Sequence, residues 1–169
     1  MDAVHEHRSY SPTSLGFGLL TVSDSRTAAD DTGGRTLREL VEGAGHRVAG
    51  VDRVRDEAPE IRRALEALLA APGVDVVVTT GGTGFSPRDV TIDAVAPLFD
   101  REIEGFGELF RMLSYREVGA AAMLSRAAAG LIGDRAVFLL PGSPKAVTLA
   151  MSALVLPESG HLLGQARRR

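Results

Sequence analysis

Three short turns carry the residues of this chain best suited to chemistry: Ser23-Asp24-Ser25, Gly81-Gly82-Thr83-Gly84-Phe85-Ser86-Pro87-Arg88-Asp89, and Pro141-Gly142-Ser143-Pro144-Lys145. Glycines packed this densely ahead of a helix admit positive φ angles and close backbone approach, while the helix N-terminus offers free N–H groups. The second turn therefore reads as a phosphate or pyrophosphate cradle. It is not a P-loop, because no Gly-Lys-Ser/Thr follows, and Gly82-x-Gly84 lacks the third glycine of a dinucleotide fingerprint.

Asp89 has two readings. With Ser86 as N-cap and Pro87 at the first helical position it is a capping-box acid contributing ~1 kcal/mol. Equally, it is an oxygen ligand for Mg²⁺ bound to nucleotide phosphates. Asp24, a carboxylate at a strand's carboxyl end opposite the glycines, needs solvent or a partner, and a cation would supply one. Asp31 reads as the cap of the helix that follows it. Ser143 and Lys145 are either a plain N-cap and a solvated charge or a second anion site. All but one of the 19 basic residues are arginines, and Lys145 is the exception, a compact point charge of the kind phosphate sites use.

Composition narrows the chemistry. There are no cysteines, which excludes disulfides, thiolate metal sites and Cys nucleophiles. His5, His7, His46 and His161 are scattered and read as surface residues. A net charge of −3 argues against a nucleic-acid partner. The apolar runs Val76–Val78 and Ala136–Leu140 are strand-sized, so no membrane span is expected. Residues 1–14 read as a flexible tail without the apolar core of a secretory signal, which implies a cytoplasmic location.

The elements that must position these turns alternate. Leu15–Val22 reads as a buried strand. Leu37, Leu40, Val41 and Ala44 give an amphipathic helix ending at Gly45, and Val48–Val54 a second strand. Ile61, Leu65, Leu68 and Leu69 mark a helix opened by Pro59, and the β-branched Val74–Thr80 a strand covered on both faces. A short helix over Val90–Phe99 and a longer one carrying Ile103, Phe106, Leu109, Phe110 and Leu113 come next. Ala120–Gly130 fits helix or strand; Ala136–Leu140 is a strand and Ser143–Leu156 a last helix with Val147, Ala150, Met151 and Leu154 inside. Strands and helices at this spacing predict an α/β fold, three-layer α/β/α with a mostly parallel sheet. One domain is expected over 15–156, with 157–169 as a C-terminal tail. In such sheets ligands bind outside the strands' carboxyl ends, which is where all three turns fall.

Thr21-Val22-Ser23-Asp24-Ser25-Arg26, Asp31-Thr32-Gly33-Gly34, Thr80 to Asp89, Phe99 to Arg111 and Leu140 to Lys145 together resemble the MoaB/MogA family of molybdenum cofactor biosynthesis proteins. The likeness runs from about Leu15 to about Leu156, and Phe99–Gly119 is closer to the MoaB branch. It implies a molybdopterin-binding-domain-like fold and adenylyl transfer from ATP to molybdopterin, with Mg²⁺ as cofactor. On matching positions, Asp24 and Asp89 would be catalytic and hold Mg²⁺, and Gly81, Gly82, Thr83 and Gly84 would cradle phosphate. Ser143 and Lys145 would take the second anionic end, with Ser23, Ser86, Pro141 and Gly142 in the adjoining turns. Glu104 and Arg111 would line the site, although a salt-bridged helix surface accounts for them as well. A homotrimer or homohexamer is implied. The chief rival reading is a pterin-binding or scaffolding protein of the same pathway without turnover, and a second is another nucleotide-processing enzyme on the same fold, such as the domain shared with the competence-damage proteins.

Overall fold

A computed structural model describes residues 14–168 except 26 and 28, so the tail expected at the N-terminus lies outside the described residues but for Ser14. Six strands form one sheet in the order β2-β1-β3-β6-β5-β4. They are β1 (Gly16–Val22), β2 (Arg47–Val54), β3 (Val76–Thr80), β4 (Arg101–Glu102), β5 (Ala128–Ile132) and β6 (Arg135–Leu140). The first three strands and β6 are parallel, and β5 runs antiparallel to both β6 and β4. The helices are α1 (Thr32–Gly43), α2 (Ala58–Ala70), α3 (Thr91–Val95), α4 (Glu104–Val118), α5 (Pro144–Ala150) and α6 (Leu156–Ala166).

Both faces of the sheet are covered, which is why β1, β3 and β6 are buried along their length, save Arg135, and mostly apolar rather than alternating. Phe17, Leu19, Val76, Val78, Ala136, Phe138 and Leu140 pack with residues of α1, α4, α5 and α6. Their neighbours Leu20, Val22, Val77, Val137 and Leu139 pack with α2 and α3. The strand period of two thus assigns alternate side chains to two cores, giving the expected three layers.

Several expectations need correction. The expected tail 157–169 is helical as far as Ala166: a π-helical turn over Met151–Val155 joins α5 to α6, in which Ser159 and Leu163 are fully buried. Pro157, which has no N–H to give, accounts for the irregular turn, and the buried Ser159 hydroxyl donates to the Val155 carbonyl at 2.6 Å. By length and composition the run Pro144–Ala166 could cross a bilayer, yet its apolar side, Val147, Ala150, Met151, Val155 and Leu163, is spent on the core. The ambiguous Ala120–Gly130 is split between a 3₁₀ stretch, Gly119–Leu124, and the start of β5. Of the apolar residues carried by the longer helix, Phe106 and Phe110 are buried and Leu109 is 47% exposed.

His46 is held by its ring. Its Nδ1 accepts from Leu15 N at 3.3 Å and the imidazole lies 5.3 Å from the Phe17 ring, and burial lowers its pKa. The folded protein therefore resists protonating a group that the unfolded chain protonates at its ordinary value. Stability contributed by neutral His46 is fully present above that value of 6.5 and declines as pH falls below it. His46→Asn, whose side-chain oxygen can replace Nδ1 as acceptor, should flatten the fall in thermal midpoint between about pH 7 and about pH 5.5. An unchanged slope would show that another group governs acid sensitivity.

Candidate functional site

The sheet order reverses between β1 and β3: from β1 the chain moves out to β2, then crosses back to β3 on the other side. A crevice at such a switch point is where open α/β sheets place ligands. Register aligns the carboxyl ends there, with Thr21 beside Thr80 and Thr80 beside Leu140. Ser23-Asp24, the Gly81 loop and Pro141-Gly142-Ser143 consequently leave the sheet side by side. Gly81 N donates to Leu140 O at 3.1 Å and the Thr80 hydroxyl to Pro141 O at 3.0 Å, tying the second turn to the third.

The loop's glycines are required by its shape. Gly81 and Gly82 have φ of 101° and 64°, which L side chains rarely adopt. A Cβ on Gly81 would lie 2.1 Å from the Val22 carbonyl oxygen, and one on Gly82 would lie 2.3 Å from Thr91 Oγ1. Gly84 is excluded from bearing a Cβ differently, by Asp89 Oδ2 at 2.7 Å. Thr83 is buried, while Phe85 is exposed at the loop's tip with the Arg126 guanidinium 5.5 Å from its ring centre. Arg126 in turn pairs with Asp93 of α3 at 2.8 Å.

Asp24 does meet a cation, and it is a side chain. Arg88 donates to its Oδ2 through Nε at 3.1 Å and Nη2 at 2.7 Å. The Asp56 backbone N–H donates to Oδ1 at 3.1 Å. The Arg88 hydrogen bonds first, then the Asp56 amide, hold the Asp24 carboxyl below its usual range, so it stays ionised. Arg88 also reaches Glu57 Oε1 through Nη1 at 3.1 Å.

The helix expected to open at Pro87 starts only at Thr91. Ser86 O takes the Asp89 N–H at 2.8 Å, and the Val90 N–H goes to Asp56 Oδ1 at 3.1 Å, so the i→i−4 bond from Val90 that would start a helix there is not made. Within this closed turn the capping-box exchange survives in part: Asp89 Oδ2 accepts from Ser86 N at 3.0 Å and Ser86 Oγ from Arg88 N at 3.3 Å. The structural reading of Asp89 is therefore right about its bonds and wrong about a helix. Asp31 is a true cap, accepting from Gly34 N at 2.8 Å.

Sequence reasoning missed Asp56. This side chain is 8% exposed and abuts Gly82, whose added Cβ would come within 2.7 Å of both its oxygens. Burial pushes its pKa up, the Val90 N–H opposes this, and the nearby charges of Asp89 and Asp24 push it further up. A signal was available. Asp56 follows the end of β2 just as Asp24 follows β1, and the rule of inspecting post-strand turns applies to it equally.

Of the other expected residues, Ser143 lies in the third turn, whereas Lys145, Glu104 and Arg111 stand apart. Ser143 caps α5, accepting from Ala146 N at 3.2 Å. Lys145 lines a surface groove with Glu117, Thr148 and Leu149, which includes none of the glycine loop. Glu104 is exposed in the first turn of α4, just past β4 and two strands beyond β6. The Arg111 guanidinium folds back over its own helix, 3.1 Å from where a Gly107 Cβ would stand. Among the described residues no three His, Asp or Glu side chains are grouped so as to hold a metal ion. Asp24, held ionised, nonetheless offers with the nearby carboxyls the hard oxygens that Mg²⁺ takes, one or two carboxylates beside phosphate oxygens.

Comparison with known proteins shows the family. Residues 18–161 match the family described as "Probable molybdopterin binding domain". Molybdenum cofactor biosynthesis protein B of Bacillus cereus is 48% identical over 168 residues, 99% of each chain. A crystal structure titled molybdenum cofactor biosynthesis protein B superposes with a TM-score of 0.90 at 49% identity, covering 94% of this chain and 99% of the other. The tungsten cofactor synthesizing protein MoaB from Pyrococcus furiosus gives 0.85 at 40% identity, covering 94% and 100%.

Proposed function

Since the chain belongs to the MoaB/MogA family, on its MoaB side, and has a role in molybdenum cofactor biosynthesis, we propose that it is a molybdopterin adenylyltransferase. An oxygen of molybdopterin's terminal phosphate attacks the α-phosphorus of ATP, and the bond to the β-phosphate oxygen breaks. Adenylylated molybdopterin and pyrophosphate result. Such a transfer needs no protein nucleophile; it needs two anions aligned and their charge neutralised.

The observation carrying this reading is the Gly81–Gly84 loop, its backbone forced into positive φ at Gly81 and Gly82, between the Asp24 turn and the Pro141–Ser143 turn. Gly81, Gly82, Thr83 and Gly84 would cradle phosphate. Ser23 and Ser86 border the loop on one side, and Pro141, Gly142 and Ser143 on the other. Asp24 and Asp89 would hold Mg²⁺, which when bound neutralises the phosphates and the departing pyrophosphate. Lys145 and Glu104 belong to this reading as binders of the outer parts of the two substrates, from a greater distance. A cytoplasmic location belongs to it as well.

The test is direct: purified protein with molybdopterin, ATP and Mg²⁺ should release pyrophosphate stoichiometrically with adenylylated pterin. Tight pterin binding without pyrophosphate would transfer the assignment to a non-catalytic binder of the same pathway.

A homotrimer or homohexamer is part of the proposal. Leu109, Met112, Tyr115 and Val118 on α4, with Met123 and Leu124 beyond it, are 47–76% exposed, and a run of apolar side chains along one helix is unusual on a surface that stays wet. Met112→Glu should shift the mass seen by light scattering towards monomer; an unaltered mass would put the interface elsewhere.

A further inference from the structure

We propose that Arg88 is an exchangeable counter-ion: it occupies the Asp24 carboxylate while the site is empty and yields it to the metal of an incoming metal–nucleotide pair, turning its own guanidinium onto the nucleotide's phosphate. The geometry that carries this is the split fork. Nε and Nη2 both sit on one oxygen of Asp24, at 3.1 and 2.7 Å, whereas Nη1 is anchored on Glu57 at 3.1 Å. Glu57 stands at the start of α2 and makes no capping bond of its own, leaving its carboxylate to hold the arginine. The guanidinium can release Asp24 and remain attached at Glu57.

Energetics favour exchange over a permanent lock. The side chains of Arg88 and Asp24 are 59% and 38% exposed, and ion pairs so exposed are weak because water screens them. Asp24 Oδ1 is already held by the Asp56 amide, so the carboxylate keeps its place when the arginine leaves. Without a cation on its Oδ2, Asp24 would keep only the Asp56 amide and the more distant charge of Arg55, while its own charge and that of Asp89 act against an ionised Asp56. A guanidinium fork freed beside a glycine phosphate cradle meets the planar oxygen pattern it binds best. Each cation thus ends on the anion that suits it. Arg88 is a positioning and binding residue in this scheme, and the scheme rests on the adenylyl-transfer reading for its nucleotide step alone.

Two affinities measured on the full chain decide it: Mn²⁺ alone, by loss of the free-ion paramagnetic resonance signal, and MgATP, by calorimetry. Arg88→Met should bind Mn²⁺ ~10-fold more tightly than the parent and MgATP ~10-fold more weakly, a change of about 1.4 kcal/mol each with opposite sign. Arg88→Lys, keeping charge without the fork, should recover part of the MgATP affinity. A merely structural arginine would weaken both together, and an idle one would move neither; either result overturns the proposal. Opposite shifts without pyrophosphate release would leave it standing and remove the transferase reading. Pyrophosphate release with no opposite shifts would do the reverse.

Discussion

Asp89→Asn is expected to lower adenylyl transfer by on the order of 10²-fold or more while pterin affinity stays within about threefold. The substitution is chosen from the bonds that Asp89 makes. Its Oδ2 accepts from Ser86 N at 3.0 Å and packs where a Gly84 Cβ would otherwise stand. An asparagine oxygen can keep that bond, so the 86–89 turn holds its shape and what is lost is the negative charge. Asp89→Ala would confound the two, because an unbonded Ser86 amide would let the loop relax. Turnover in Asp89→Asn within about threefold of the parent would reject a metal-holding role and leave only the turn-closing one.

Gly81→Ala should be the most damaging single methyl added to the site. At φ 101° the residue lies outside the region that L side chains tolerate, and the new Cβ would sit 2.1 Å from a backbone oxygen, Val22 O, which cannot rotate away. The end of β1 or the loop must move. Conformational strain and displaced packing together should cost roughly 3 kcal/mol or more, a large part of a typical domain's stability. For a chain of this size that corresponds to a thermal midpoint lowered by about 6–12 °C. MgATP binding should disappear with the cradle. Gly43→Ala is the matched control: it lies in α1 with nothing within 4 Å of its added Cβ, and should stabilise by up to about 1 kcal/mol. Equal midpoints for the two variants would mean that the strained loop geometry is not what the protein needs.

The elements were legible where periodicity is strong. Leu37 and Val41 are buried on α1 as expected, as are Ile61, Leu65 and Leu68 on α2, and β1, β3 and β6 are wholly buried apart from a half-exposed Arg135. The errors share a cause. Apolar spacing says which residues fall on one face of a helix but not what that face meets, so the apolar set of α4 does not reveal that Phe106 and Phe110 are buried while Leu109 is exposed. Likewise Leu163 lies in a stretch of mixed composition, and only its contact with the sheet core shows that 157–166 belongs to the domain. The capping-box pattern at Ser86–Asp89 was real, but a competing long-range acceptor, Asp56, took the Val90 amide and moved the helix start to Thr91.

What the sequence by itself determined is the kind of chemistry and its address: glycines that must take positive φ, acids directly after strands, an α/β alternation that puts both at one sheet edge, and a family likeness nearly end to end. These are local properties, set by backbone sterics and by residue type. Which groups face one another was decided only by the tertiary structure. Asp24 and Arg88 are 64 residues apart, and Asp56 and Val90 are 34 apart. The strand order that folds them together follows from burying two separate cores on the two faces of one sheet. Pairing across such distances is the outcome of packing the whole chain, and no window of neighbouring residues contains it.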